Sequence, residues 1–222
     1  LAIPLFLILL EDLRYAEASK FKGLILWAGQ TAGPRVVPGR YEARLTAAGQ
    51  TLTQPFEARK DPRVPATDTD FAKQQELLLK IRDRLTATHE ALSRLRDVRE
   101  QAKTAAERAK GGPAEKQLQE ASDALAKKLT AVEEALYQTK NRSSQDPLNF
   151  PIRLNNKLAA LGGTVASADA APTEQAYAVF DELGKRIDAE LATLDKVLAE
   201  DVPAFNRLVR EKEIPAVRVP KP

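Results

Sequence analysis

Apolar residues recur at alternating three- and four-residue steps between Thr67 and Lys110. Phe71, Leu78, Ile81, Leu85, Leu92 and Leu95 hold the row, with charged residues between them and no Pro or Gly inside it. The spacing predicts one long amphipathic helix with a heptad-like seam. At about 1.5 Å per residue it would span roughly 60 Å. A helix of that length gains most of its stability from tertiary packing, so the rest of the chain must cover the seam. Thr67 is the expected N-cap, with Asp68 and Asp70 in the first turn, where acids suit the helix dipole. Gly111-Gly112-Pro113 is the expected stop.

A second helix is expected from about Ala114 to Lys140. Leu118, Leu125 and Val132 repeat every seven residues, and Ser122, Leu129 and Leu136 form a partner row. The tight Gly-Gly-Pro connection predicts an antiparallel hairpin with the first helix. The stretch Asn141–Pro151 has two prolines and no helical period. A third helix follows from about Ile152 to Ala166, carrying Leu154, Leu158, Leu161 and Val165. Thr173 with Glu174 opens a last helix with Val179, Phe180, Leu183, Ile187, Leu191, Leu194 and Leu198. Asp201-Val202-Pro203 either kinks or restarts it, with Phe205, Leu208 and Val209 continuing the face. The second and third helices together match the first in length. They therefore read as one broken middle rod between two long outer ones, giving a three-rod antiparallel bundle, or a four-helix one if the third helix folds aside.

The first 66 residues read as β. Gly23–Trp27 is a short apolar run closed by Ala28-Gly29, and Pro38-Gly39 is a turn signal. Tyr41, Ala43 and Leu45 alternate with Glu42, Arg44 and Thr46, a half-buried strand. Ala48-Gly49-Gln50 turns the chain, and Leu52–Ala58 returns as a second strand in which Pro55 needs an edge or a bulge. The segment is too short for a complete immunoglobulin-like sandwich of about seven strands. It reads as the last part of one, or as a small sheet packed on the helices. Leu1–Leu10 is nearly all apolar and reads as a buried strand, being too short to span a membrane. Asp61–Pro65 is a stiff linker. The expected organisation is a partial Ig-like β segment over 1–66, a helical bundle over 67–214 and a Pro-rich tail over 215–222.

Composition changes this picture little. Hydrophobic residues make up 43% and charged residues 29%, which is the balance of a folded chain. Aromatics at 5% suit a bundle built on Leu and Ala. The net charge is +3 and the pI about 9.0. The excess lies in the first 66 residues, with nine Lys/Arg against six Asp/Glu; the remaining 25 of each sign balance. No basic stripe of the kind nucleic acid requires is visible. The absence of Cys excludes disulfides, thiolate catalysis and Cys-ligated metals. The chain opens at Leu1 and has no Met, so the expectation is a processed product, a fragment, or an incompletely known sequence.

Several segments resemble the C-terminal region of large exported bacterial proteins with sortilin-like, BNR-type β-propeller repeats, often labelled glycosyl-hydrolase-like. They are Asp12-Leu13-Arg14-Tyr15, Gly23–Gly29, Pro38–Thr46, Gln54-Pro55-Phe56 with Lys60–Val64, and above all Ser143–Lys157. Residues 1–10 depart from the family's pattern, which carries a Trp before the Asp-Leu-Arg-Tyr. The resemblance implies an upstream propeller, then an immunoglobulin-like region, then this helical one, in a periplasmic or extracellular setting. It implies no reaction for this part of the chain.

Candidate sites are few. His89 is the single His, and a catalytic triad or His-based metal site would need it. Lying one residue off the seam beside Thr88 and Glu90, it reads as a solvated helix residue. Asp146 and Asn149, with Asn155 and Asn156, could offer oxygens to Ca²⁺. The competing reading is a buried corner where these side chains cap helix ends and satisfy loop backbone, with Leu148 and Phe150 plugging the gap in the middle rod. Ser143, Ser144, Gln145, Pro147 and Pro151 belong to the same structural or interaction stretch. Glu133 with Glu134, and Glu190 with Asp195, read as solvated charge. Trp27 could stack on a sugar, but its aliphatic neighbours point to core packing. Gly111-Gly112-Pro113 is not a phosphate loop, since no Lys-Ser/Thr follows it.

The expected function is a non-catalytic accessory or interaction region. It would position or oligomerise an upstream propeller, or bind a protein partner, with no cofactor and no transmembrane segment. The alternatives are part of a glycan or peptide hydrolase whose chemistry lies upstream, or a self-assembling coiled-coil scaffold that forms a homo-oligomer.

Overall fold

A computed structural model describes residues 13–216. The strand expected at Leu1–Leu10 and most of the Pro-rich tail lie outside the described residues. The chain is mainly helical with one small antiparallel sheet. Strands β1 (Gly39–Ala47) and β2 (Gln50–Ala58) pair in a single register from Gly39 opposite Ala58 to Ala47 opposite Gln50. The two residues between them, Ala48 (φ 49°) and Gly49 (φ 76°), both take left-handed backbone. This is the two-residue geometry that matches strand twist. Pro55, opposite Glu42, is tolerated because a two-stranded sheet consists of edges. Tyr41 stacks on Phe56 with ring centroids 5.8 Å apart, and its hydroxyl donates to the Val37 carbonyl at 2.7 Å.

Helix α1 (Asp68–Arg108) begins where expected. The Thr67 hydroxyl accepts from the Asp70 N–H at 3.2 Å, and the Asp70 carboxylate accepts from the Thr67 N–H at 2.8 Å, a reciprocal capping box. Helix α2 (Glu115–Leu136) buries both predicted rows: Leu118, Leu125 and Val132, and Ser122, Leu129 and Leu136. It ends earlier than expected, because Tyr137 turns to extended backbone. A single 3₁₀ turn at Asp146–Leu148 punctuates the break. Helix α3 (Leu154–Val165) buries Leu154, Leu158, Leu161 and Val165. Helix α4 (Glu174–Lys196) starts at the Thr173 cap and runs into a π-helical turn, Val197–Asp201, and then α5 (Val202–Glu211). The helix therefore passes through Pro203 instead of breaking. Pro lacks the N–H that a regular turn would use, and the Val202 N–H bonds to the Val197 carbonyl five residues back.

Helix α1 contacts α2, α3 and α4, α4 also contacts α2 and α3, and α5 contacts α2. Side-chain pairs give the directions. Arg96 and Arg99 meet Glu133, while Ala106 and Ala109 meet Leu118, so α2 runs back along α1. Gln74 donates to the Val165 and Ala168 carbonyls, placing the end of α3 near the start of α1. Arg84 meets Asp188 and Arg94 meets Asp195, so α4 runs beside α1 in its own direction.

Two expectations fail over 13–38. Gly23–Trp27 is not a strand but a turn followed by coil. Its main-chain groups bond to side chains instead of a neighbouring strand. The Tyr137 hydroxyl accepts from the Ile25 N–H at 3.2 Å and donates to the Gly23 carbonyl at 2.9 Å. Asn156 takes the Trp27 N–H at 2.7 Å and donates to its carbonyl at 2.6 Å. Trp27 is thus fixed by its backbone while its side chain is turned outward, the residue remaining 37% exposed. Only Leu24 and Leu26 of this run lean on the core.

Candidate functional site

A connected polar set lies where Ser19–Trp27 crosses α1, the end of α2 and the start of α3. His89 is at its centre and is fully buried, not solvated. The covering segment comes from 70 residues upstream, a contact that helical period alone does not register. The His89 Nδ1 lies 2.5 Å from the Ser19 carbonyl oxygen, and its Nε2 lies 3.3 Å from the Asn155 side-chain nitrogen. These partners define the tautomer. Nδ1–H donates to Ser19, and Nε2 accepts from the Asn155 amide. Burial holds the imidazole below its ordinary pKa, and the Ser19 hydrogen bond offsets that in part. Ser19 is itself tied to α1, its N–H to the Thr86 hydroxyl at 3.2 Å and its hydroxyl to Glu90 at 3.1 Å.

Phe21 extends the set. Its ring meets His89 and Tyr137 edge to face, each with centroids 5.1 Å apart. The Arg96 guanidinium lies 4.6 Å from the Phe21 centroid and 5.4 Å from that of Tyr137. Arg96 and Arg99 each bond Glu133 at 2.6 Å, and Arg99 also reaches the Thr130 hydroxyl at 3.1 Å. Glu133 is therefore buried between two cations and is not solvated charge. Glu134 stays exposed, and Asp195 is exposed beside Arg94 while Glu190 is half-buried.

The Ser143–Pro151 stretch does not join this set. Asp146 closes its own loop, accepting from the Arg142 and Ser143 N–H groups at 2.5 and 2.9 Å and from the Ser143 hydroxyl at 3.1 Å. The two backbone N–H groups, Arg142 first, hold its carboxyl below the usual range. Ser144, Gln145 and Asn149 are exposed, so Asp146 and Asn149 do not converge with Asn155 and Asn156. Leu148 does not plug the break but stands 67% exposed. Phe150 is half-buried beside Lys140. Pro151 accepts from the buried Gln138 amide at 2.8 Å. Among the described residues no group of three or more His, Asp or Glu is arranged to hold a metal ion.

The arrangement stitches an irregular segment to three helices. Both imidazole nitrogens are engaged inside the protein, and the Glu133 oxygens face guanidinium groups. Among the described residues the His89 ring nitrogens meet a carbonyl and an amide, and no hydroxyl. Sequence reasoning singled out Trp27, Asn155 and Asn156 but missed Phe21, Arg96, Tyr137 and the roles of His89 and Glu133. Their signal is tertiary, apart from the chemical hint of an Arg pair spaced three apart on one helix face. The chain matches no known protein-family model, and no curated protein and no solved structure matches it. No described helix is long and apolar enough to cross a membrane.

Proposed function

We propose that this chain is a non-catalytic accessory region of a larger exported propeller-bearing protein, holding that protein or a protein partner in position. On this reading α1, the α2–α3 pair and α4–α5 form a three-rod bundle with a broken middle rod. The hairpin is then the end of an Ig-like β region whose other strands lie upstream, in a periplasmic or extracellular setting.

One observation carries the reading. Most of the helical seam residues are buried within the chain, with Val179 of the predicted α4 face standing 45% exposed, whereas the hairpin is largely open beyond the half-buried Tyr41 and Phe56. Leu118, Leu129, Leu158, Ile187 and Leu194 are fully covered. Leu45 and Leu52 face each other across the strands yet stand 46% and 67% exposed. Tyr41, Ala43, Leu45, Leu52 and Phe56 share one face of the ribbon by strand alternation. An isolated two-stranded ribbon is marginal in water, and both its edges offer unpaired backbone. Such an element is suited to completion by further β structure, while a body that satisfies its own seams is suited to act as a spacer.

Light scattering during size exclusion tests this over a range of concentrations. The expected result is a 24.4 kDa monomer throughout. A stable dimer that persists after Leu45→Lys and Leu52→Lys would locate association in the helices. It would replace this reading with the self-assembling scaffold.

A further inference from the structure

A second feature of the fold is independent of the accessory role. A cavity of about 580 Å³ opens between the irregular ribbon at 13–18 and 30–38, the exit of the hairpin at 58–61, and the facing surfaces of α1 and α3. That volume lies within the range of small-molecule sites. Its walls are fixed by backbone hydrogen bonds: Tyr15 N–H to the Pro34 carbonyl at 2.9 Å, Ala18 N–H to Thr31 at 2.8 Å, and Val36 N–H to Leu13 at 2.8 Å. A Cβ on Gly33 would collide with the Tyr15 carbonyl, so the ribbon keeps its close approach only with glycine there. The space persists because small residues line it, among them Ala18, Ala159, Gly162 and Ala166.

The lining is divided by chemistry. The half-buried Leu78 of α1 supplies the open part of an apolar floor, behind which Phe71, Ile81 and Leu85 are buried. Arg14, Arg35, Arg59, Lys60 and Arg82 contribute cations, against the two acids Asp61 and Asp169. Most of these are engaged: Arg14 with the Gly33 carbonyl at 2.9 Å, Arg59 with Glu57 at 2.6 Å, Arg82 with Asp83 at 2.6 Å, and Asp61 with Arg63 at 2.6 Å. Arg35 is exposed. Neither Arg35 nor Lys60 makes an ion pair among the described residues, and Lys60 donates to the Ala66 carbonyl at 2.7 Å. A ligand with an apolar body and a single anionic head would lie along the floor and meet Arg35 and Lys60 at the rim.

We propose that this cavity binds a small amphipathic anion, an acyl or aryl carboxylate, with its tail on the α1–α3 floor and its head toward Arg35 and Lys60. Calorimetric titration of the full chain with decanoate tests it, with acetate and 1-decanol as the head-only and tail-only probes. Saturable one-to-one binding of decanoate is expected, with 1-decanol weaker and acetate giving no heat. Arg35→Glu, a change at an exposed side chain, should weaken decanoate roughly tenfold or more by reversing one short-range charge contact. Ala166→Trp, at an exposed position on the cavity wall, should narrow the space and weaken binding. Thermal melts of both variants would verify that they are folded. The proposal is overturned if decanoate fails to saturate the wild-type chain, if 1-decanol binds as tightly, or if the folded variants bind decanoate unchanged.

Discussion

A neutral imidazole at position 89 has a stability consequence whose sign follows from its surroundings. In the unfolded chain the ring titrates near 6.5; in the fold, burial holds its pKa lower. Between those two values the unfolded state binds more protons, so stability falls as pH drops through about 6.5 and continues to fall until the folded ring itself protonates. Protonation would also convert Nε2 into a donor facing the Asn155 nitrogen. Asn155 would have to rotate to offer its Oδ1, a buried oxygen without a hydrogen-bond partner among the described residues. Urea midpoints at pH 7.5 and 5.5 should therefore diverge more for the natural chain than for His89→Phe. Equal pH dependence in the two would remove His89 as the cause. Glu133 makes a second case at this scale. Its side chain is 4% exposed, between Arg96 and Arg99 at 29% each. Glu133→Gln leaves two guanidinium groups converging without a countercharge. The expected loss is about 2 kcal/mol, below the fully buried case because both arginines reach water. A denaturation curve showing less than about 0.5 kcal/mol would sink the idea that Glu133 anchors the end of α2. Neither residue was legible from periodicity. Both sit beside a seam and are buried by groups that arrive from elsewhere in the chain.

At the scale of elements, what was readable depended on whether the controlling forces were local. The α1 start was readable because Thr67 and Asp70 bond each other within one turn. Both α2 rows were readable because every third or fourth residue meets the same neighbour. The hairpin was readable from alternation and from its turn, although that turn is not ideal. Ala48 occupies left-handed backbone, which disfavours a Cβ, whereas Asn before Gly is suited to it. Ala48→Asn should therefore stabilise the ribbon by about 0.5 kcal/mol. This would be seen as roughly twofold slower amide exchange in β1 and β2 with the helices unchanged. No slowing, or slowing in the helices alone, would count against the turn as the weak point. The 13–38 segment was misread for a matching reason. An apolar run beside Gly looks like a strand, but strand character requires a partner, and Tyr137 and Asn156 occupy the backbone groups that a partner would use.

At the scale of the whole molecule, α1 is the common support. One heptad-like seam suggests a helix with one or two neighbours, yet α1 is covered by α2, α3, α4 and the Ser19–Trp27 segment. Leu77, Thr88 and Ala91, outside the predicted row, are consequently buried with it. Trp27, Leu148, Val179 and the Leu45–Leu52 pair of the hairpin are the converse: apolar groups that the described chain leaves open. By itself the sequence determined where the helices lie, how α1 and α4 begin, most of the rows they bury, Val179 excepted, and how the hairpin turns. Each of these is set by residues within a few positions of one another. Only the tertiary structure decided that His89 and Glu133 are interior, that Gly23–Trp27 is clamped instead of paired, and that a cavity remains under the 30–38 ribbon. Those outcomes depend on groups tens of residues apart meeting in space, where desolvation and hydrogen-bond partners, and not spacing along the chain, set the result.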